Sequence, residues 1–346
     1  MNMKFIGVVA MSLIFVGCST TQKFTAPIFP AKLDAKVATL STADDILPVS
    51  RKIEAVDSVI LIAGELDGKL MHVYDIRTGK FKGSHINKGQ GPDDMVYVGN
   101  FITDSIGVTA LDLFTSAEKR FDKDWKCISV SRSYTQGMET YAPRVIHLMP
   151  DGKRLMQVFV QEHAPLGLMM LKDGKHGDVY TESPLDNDPE SEKASTYNRV
   201  NFTFSPDATK VAFASREGLI MEIFDVADLN IKPIAIKLFH PYDINTKKMG
   251  ENVLVEYKED NIKGIMAMTA TDKRIVAAYN GSTSHESNTD IAVWDWNGKP
   301  LRRYGFIGRI MALCLSPLAS DDIYALVHKS DYDISLVKIN CPGLLD

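Results

Sequence analysis

Apolar and polar residues alternate along most of the chain in short runs, and each run ends at a tight polar turn. The pattern recurs in "IEAVDSVILIAG" (53–64), "FITDSIGVTAL" (101–111), "IHLMPDGKRLMQV" (146–158), "FTFSPDATKVAFAS" (202–215), "MAMTATDKRIVAAY" (266–279) and "ALCLSPLASDDIYAL" (312–326). Alternation with period two marks β-strands, and no long window carries the 3.6-residue period of an amphipathic helix. Taking Asp57, Asp104, Asp151, Asp207, Asp272 and Leu318 as equivalent turn positions gives intervals of 47, 47, 56, 65 and 46 residues. Six units of about 47 residues result, two of them carrying insertions, and a fixed period of that size is the mark of a repeat architecture.

The second half of each unit repeats as well. "MHVYDIRTGKFKG" (71–83), "KRFDKDWKCISV" (119–130), "LMMLKDGKHGDV" (168–179), "MEIFDVADLNIKPIAI" (221–236) and "IAVWDWNGKPLRRY" (291–304) each read as strand, Asp/Asn/Gly turn, strand. Asp, Asn and Gly supply the positive φ angles of hairpin corners at little cost. Each unit is therefore expected to be a four-stranded antiparallel meander. Such a meander cannot bury both its faces alone, whereas six of them stacked around an axis can. The expected fold is all-β, a six-bladed β-propeller. The last unit ends one strand short, and residues 36–51 are expected to supply its missing outer strand and close the ring, removing an exposed edge. A pair of β-sandwiches or a seven-bladed ring is the alternative.

The stretch "NKGQGPDD" (87–94) falls between units one and two, after "FKGSHI" and before an expected first strand "MVYVGNFI" (95–102). A phosphate cradle would need a strand before it and a helix after it. A connector crossing from the outer edge of one blade to the inner edge of the next fits better, with glycine and proline allowing the reversal. Gly305 in "RRYGFIG" is its expected counterpart. The connector lies on a face of the disc, which makes Lys88 and Gln90 candidate ligand-face residues.

At the N-terminus, "MNMKFIGVVAMSLIFVGC" places Lys4 ahead of an apolar run from Phe5 to Val16, too short to span a bilayer. The following "FVGCST" resembles the lipobox of bacterial lipoproteins, in which the cysteine thiol takes a diacylglycerol and usually an N-acyl chain. On this reading residues 1–17 are a lipoprotein signal peptide, Cys18 is the lipidation site, 18–35 are a lipidated tether and 36–346 are the propeller. Several acyl chains at about 0.8 kcal/mol per buried methylene hold the chain on a membrane without crossing it. Surface-exposed lipoproteins of the Bacteroidetes type tend to carry acidic residues after the cysteine. "STTQKF" has none, which favours the periplasmic face over the cell surface.

Lipobox, blade turns "MPDGK" and "SPDATK", strand-turn "VYDIRTGK" and "GQGPDD" together resemble the TolB-like, six-bladed propeller lipoproteins of Bacteroidetes. The resemblance covers nearly the whole mature chain. It implies a fold and an anchor and assigns no activity, since most of the family has none assigned.

Composition adds limits. The chain is 45% hydrophobic and 24% charged with a net charge of −5, and no Lys/Arg stripe with interleaved aromatics offers a phosphate footprint, so nucleic acid is not an expected partner. Past Cys18 the cysteines are Cys127, Cys314 and Cys341. Cys314 and Cys341 fall on and beside strands two apart, about 9.6 Å, past the roughly 7 Å limit for a disulfide; free buried thiols are expected.

No serine elbow, H-E-x-x-H, C-x-x-C or Walker loop is present, and the eight histidines lack metal-ligand spacing. No cofactor or metal is expected. The acidic run "DNDPESE" (186–192) departs from a calcium loop at Ser191 and Tyr197 and reads as an inter-blade loop. Residues 241–261 read as an extra hairpin or flap, and inserted loops decorate one rim of a scaffold. Trp125, Trp294 and Trp296 are expected mostly to pack between blades. "DSV" (57–59) and "DSI" (104–106) resemble a Bacteroidetes O-glycosylation sequon, at turn positions.

The functional reading is a lipid-anchored cell-envelope binding or scaffold module for a protein or glycan. The alternative is a carbohydrate-active hydrolase or lyase, which would show two carboxylates about 5–10 Å apart in the axial funnel, flanked by aromatics.

Overall fold

The computed structural model describes residues 23–40, 47–48, 50, 52–112, 114–115, 117–132, 142–159, 167–185, 197, 199–249, 252–330 and 333–346. Cys18, His163 and the acidic run 186–192 lie outside them. In chain order the strands begin with β1 (Lys32–Asp34) and β2 (Lys36–Thr39). Blade 1 is β3 (Lys52–Val56), β4 (Val59–Leu66), β5 (Lys69–Asp75) and β6 (Phe81–Asn87); blade 2 is β7 (Asn100–Thr103), β8 (Gly107–Asp112), β9 (Ala117–Asp122) and β10 (Cys127–Ser131). Blade 3 is β11 (Ala142–Leu148), β12 (Arg154–Phe159), β13 (Gly167–Lys172) and β14 (Lys175–His176); blade 4 is β15 (Asn201–Phe204), β16 (Lys210–Ala214), β17 (Leu219–Asp225) and β18 (Lys232–His240). A separate hairpin follows, β19 (Ile244–Met249) and β20 (Asn252–Tyr257). Blade 5 is β21 (Ile265–Ala270), β22 (Arg274–Tyr279), β23 (Asp290–Asp295) and β24 (Pro300–Gly305); blade 6 is β25 (Arg309–Leu315), β26 (Asp322–Ser330) and β27 (Asp333–Asn340).

Each blade is an antiparallel meander with its first strand innermost, and β25 of blade 6 packs against β3 of blade 1, so the six blades close into a ring. Blade 6 takes its fourth strand from the N-terminus: β2 pairs antiparallel with β27, Lys36 opposite Asn340 and Thr39 opposite Val337. The closing strand thus comes from the start of the segment expected to supply it.

The chain joins the ring before that strand. Thr25 N donates to Leu238 O on β18, Phe29 packs edge-on against Trp294 of blade 5 at 5.4 Å, and β1 adds to β24 as a parallel fifth strand. Residues 24–39 therefore form a strap over the outer edges of blades 4, 5 and 6.

Among the described residues, one hydrophobic cluster lies at each of the six blade boundaries. Phe101 and Phe121 meet Leu61 and Met71 between blades 1 and 2, and Phe213 and Phe224 meet Leu155 and Met170 between blades 3 and 4. Alternation makes this possible, because each strand points one set of apolar side chains at each neighbouring blade.

Antiparallel order also sorts the loops onto two faces. On one face lie the turns from first to second and from third to fourth strand. Aspartates cap them: Asp104 Oδ1 accepts from the amides of Ile106 and Gly107, Asp75 Oδ1 from Arg77 and Thr78, and Asp295 Oδ1 from Asn297 and Lys299. Both sequon-like stretches sit here, with Asp57 left-handed at φ 51°. The opposite face, the connector face, carries the blade-to-blade crossings and the inserted hairpin.

The connector 88–99 differs from expectation in two ways. Strand β7 starts at Asn100, since residues 95–99 remain irregular apart from a bridge between Lys88 and Met95. Its glycines also serve a different purpose. Neither Gly89 nor Gly91 is left-handed; a Cβ on either would lie 2.5 or 2.6 Å from an oxygen of Asp94, so they are glycines because the carboxylate packs against their backbone. Asp94 in turn accepts from the Gly91 amide and the Asn87 side chain, while the buried Lys119 ammonium donates to the carbonyls of Gly91, Pro92 and Asp94. Gly305 is not an equivalent corner: it ends β24 opposite Asp34, and Gly308 at φ 133° makes the turn there.

Candidate functional site

The six innermost strands enclose an axial channel of about 1310 Å³, with its walls drawn from all six blades. Blades 4 to 6 contribute mainly apolar side chains, such as Phe202, Met266, Met268, Met311 and Leu313. The polar groups concentrate on blades 1 to 3.

At the connector-face end, Lys88 Nζ pairs with Glu65 at 2.6 Å, and both remain about half exposed. Beside them Tyr97 and Phe114 meet edge-to-face at 6.0 Å with 48% and 76% exposure. Lys88 lies in the channel wall at its mouth. Gln90 is exposed on the same connector but is not part of the channel wall.

Inside the channel, four polar side chains of the wall come from four strands of blades 1 to 3, Lys52 of β3, Asn100 of β7, His147 of β11 and Gln157 of β12. Lys52 on β3 holds its ammonium 5.4 Å from the Phe101 ring, and it has no ion-pair partner among the described residues. Asn100, the residue before that ring, is 3% exposed, and neither atom of its side-chain amide makes a hydrogen bond among the described residues. From blade 3, Gln157 Nε2 donates to Arg199 O at 3.0 Å and faces His147 Nε2 at 3.3 Å. The bond to Arg199 O fixes which end of the amide is nitrogen and leaves Gln157 Oε1 buried without a partner among the described residues. Burial above all, and then the Lys52 charge, hold the His147 imidazole neutral by lowering its pKa to about 3. Each buried unsatisfied polar atom costs about 1–3 kcal/mol, so a stretch of wall carrying three is a departure from ordinary packing.

A buried charge post stands behind this cluster. Arg199 grips Glu222 of β17 with Nε at 2.7 Å and Nη2 at 3.0 Å, and Tyr197 donates its hydroxyl to the same carboxylate at 2.9 Å. Glu222 is fully buried and Arg199 nearly so. The fork-like geometry of guanidinium and carboxylate suits a desolvated pair.

Among the described residues the carboxylates of the channel wall are Glu54 and Glu65. Both come from blade 1, and each has a partner, Thr103 for Glu54 and Lys88 for Glu65. They do not approach one another from opposite blades in the manner of a glycosidase pair.

A second hollow of about 340 Å³ opens on the connector face, between Ser215, Arg216 and Glu217 of blade 4, the tyrosines 242 and 257 beside the hairpin, and His285 of blade 5. Glu217 there holds Lys263 at 2.8 Å and His285 Nε2 at 3.0 Å. The insertion 241–261 is indeed an extra hairpin, on the same face as the mouth.

The remaining candidates are structural. His72 bonds to Ser84 and Gly64 O, and His85 stacks on Trp125 at 4.5 Å, which occupies that indole. Trp294 and Trp296 are buried between blades. Cys127, Cys314 and Cys341 are free thiols; Cys314 and Cys341 are buried and Cys127 is half-buried. Sequence inspection passed over Lys52, Asn100, Gln157 and Glu222. A signal existed, because each is a polar residue inside or beside an apolar run, as in "GNFI", "LMQVF" and "IMEIF".

The sequence profile of the "TolB-like 6-blade propeller-like" family matches residues 29–316. No protein of curated function matches the chain. Among solved structures the chain is similar to a luciferin-regenerating enzyme, with TM-score 0.50 and 10% identity over 90% of this chain and 96% of that one. It is also similar to the PQQ-bound aldose sugar dehydrogenase of Streptomyces coelicolor, with TM-score 0.47 and 10% identity over 89% and 98%. Kuenenia stuttgartiensis hydrazine synthase aligns with TM-score 0.44 and 13% identity over 85% and 99%. At such identities the likeness is one of fold.

Proposed function

The chain belongs to the TolB-like six-bladed propeller family, and on that premise we propose that it is a lipid-anchored binding or scaffold module of the cell envelope, holding a protein or glycan partner on its connector face. The observation that carries this reading is the difference between the two faces. One is closed by short turns whose aspartates satisfy the local amides. The other bears the channel mouth, the exposed Tyr97–Phe114 pair, the hairpin and the smaller hollow. Exposed aromatics on a rigid rim are the residue types that dominate binding energy at interfaces.

Crosslinking in cells followed by identification of the captured partner tests the reading. Tyr97→Ser with Phe114→Ser is expected to cut capture by on the order of tenfold, the loss of about 1.4 kcal/mol of interface energy. Ile106→Ser, an equally exposed change on the turn face, leaves capture intact. Equal capture by both variants sinks the assignment of the face.

The anchor is Cys18 on this reading, and the absence of acidic residues after it favours the periplasmic side over the cell surface. Four residues lie between Cys18 and Lys23, and the five Cα steps reach at most about 18 Å. Since Thr25 is bonded to β18, such an anchor would keep the rim of blade 4 within tether's reach of the bilayer. Cys18→Ala should move the protein from the detergent phase to the aqueous phase on detergent partitioning; unchanged partitioning refutes the anchor.

A further inference from the structure

We propose that the smaller hollow on the connector face is a subsite for one neutral pyranose ring of a glycan, held between the tyrosines of the inserted hairpin and the Glu217 carboxylate. The inference rests on the reading of that face as the binding face and narrows its partner to a glycan. The polar wall is built by the joint between blades 4 and 5. Glu217 and Lys263 bridge their backbones, Gly218 N donates to Ile262 O and Gly264 N to Arg216 O, so the two connectors lie locked side by side. Their side chains then meet: Lys263 Nζ donates to Glu217 Oε2 at 2.8 Å, and His285 Nε2 donates to Oε1 at 3.0 Å. The loop carrying His285 is pinned by Asn280, whose side chain accepts from the Ser282 amide and donates to Ser284 O. The aromatic wall is held as firmly. Tyr242 and Tyr257 stand at the base of the hairpin with ring centroids 5.5 Å apart, and both ends of the buried Asn261 amide clamp the backbone of Asp243 between them and the blade.

A pyranose has an apolar C–H face and a rim of vicinal hydroxyls, and the hollow has a wall for each. Tyr257 lines it with 39% of its surface exposed, offering ring area to C–H groups. Glu217 lines it with 11% of its side chain exposed. A carboxylate has about four lone-pair sites, and among the described residues Lys263 and His285 take one each, so hydroxyls can donate to the others. The ligand needs no charge of its own. Lys263 balances Glu217, and burial, ahead of the Glu217 charge that opposes it, lowers the His285 pKa and keeps the imidazole neutral at pH 7. A volume of about 340 Å³ lies at the small end of ligand pockets, about 300–1,000 Å³, and suits a sugar ring better than a protein surface. An apolar side chain inserted there would strip water from Glu217 without replacing its hydrogen bonds, and a basic one would add a cation to a carboxylate already balanced.

The test uses the chain from residue 19 onward, with the methyl glycosides of D-glucose, D-galactose, D-mannose and N-acetyl-D-glucosamine as probes in ligand-observed NMR. Sorbitol, which has hydroxyls but no ring face, and cyclohexanol, which has the ring but no vicinal hydroxyl, are the controls. At least one glycoside is expected to bind saturably at millimolar concentration, and neither control to do so. Tyr257→Ala is expected to weaken that binding at least on the order of tenfold, and Tyr257→Phe, which keeps the ring, to retain it. Glu217→Gln, which keeps the shape and turns one acceptor into a donor, should weaken it by a similar factor. Should that variant not fold, the exposed Tyr257 pair of variants decides. Tyr97→Ser with Phe114→Ser, at the channel mouth, leaves glycoside binding unchanged. Binding by none of the four glycosides, a control binding as tightly as the best of them, or unchanged binding in Tyr257→Ala overturns the subsite. The two readings fail separately: partner capture that depends on Tyr97 and Phe114 with no glycoside bound leaves a protein partner and overturns only the subsite. Glycoside binding without such capture supports the subsite and overturns the assignment of the rim.

Discussion

A chain beginning at Leu40 is expected to be less stable than one beginning at residue 19 by about 5 kcal/mol. The figure comes from the strap's parts. Two partly buried phenylalanines, Phe24 against blade 4 and Phe29 against Trp294 and Tyr279, contribute about 1–1.5 kcal/mol each. The ladder bonds of β1 and β2 add about 0.5 kcal/mol or more apiece. At roughly 2–4 °C per kcal/mol for a domain of this order, the melting temperature falls by about 10 °C or more. Truncation also bares β27 as an edge strand, so the shortened protein should aggregate on heating. Phe29→Ala by itself is expected to lose only about 1.5 kcal/mol. Thermal unfolding of the three proteins checks both figures. Equal melting temperatures for the long and short chains would show that the ring holds without its strap.

Arg199→Met is expected to cost about 3–5 kcal/mol, because it leaves the Glu222 carboxylate buried with no compensating charge. The double variant Arg199→Met with Glu222→Met should recover most of that loss, since an apolar pair of similar volume removes both charges together. Denaturant unfolding of the two variants measures the difference. A double variant as unstable as the single one would show that the post stabilises by shape and by its bond to Tyr197 rather than by charge pairing. Arg199 also lends its carbonyl to Gln157, so its loss should propagate to the channel wall.

How much of this was legible beforehand varies by element. The repeat of turns was legible because an Asx turn needs an aspartate at a fixed offset, and Asp104, Asp151 and Asp207 each accept amides in the positions their spacing implied. The closing strand was legible because the last unit was visibly one strand short. The first strand of blade 2 was placed too early because "MVYVG" alternates like a strand. Its backbone is instead held by Asp112, whose carboxylate accepts from the Val96 amide 16 residues away in sequence and leaves no local pattern. The parallel β1 was missed for the same reason: three residues, all exposed, carry no periodicity.

The candidate site was harder to see than the fold. Lys88 was singled out because it sits in a conspicuous loop, whereas Asn100 and Gln157 sit in strands where a polar residue reads as a blemish in the pattern. Whether such a residue is capped, exposed or orphaned depends on what the neighbouring blade brings.

The sequence by itself determined the architecture: alternation of period two and turns near every 47 residues admit few ways of burying both faces of every sheet. Those signals are local, and a propeller is built from local meanders. Tertiary structure alone decided which polar side chains are neutralised and which are left over. Arg199 meets Glu222 from a loop, Lys153 is caged by carbonyls of blade 4, and among the described residues Lys52 has no ion-pair partner and the Asn100 amide no hydrogen bond. That outcome rests on contacts between blades far apart in the chain, where ring closure fixes the distances and no sequence spacing records them.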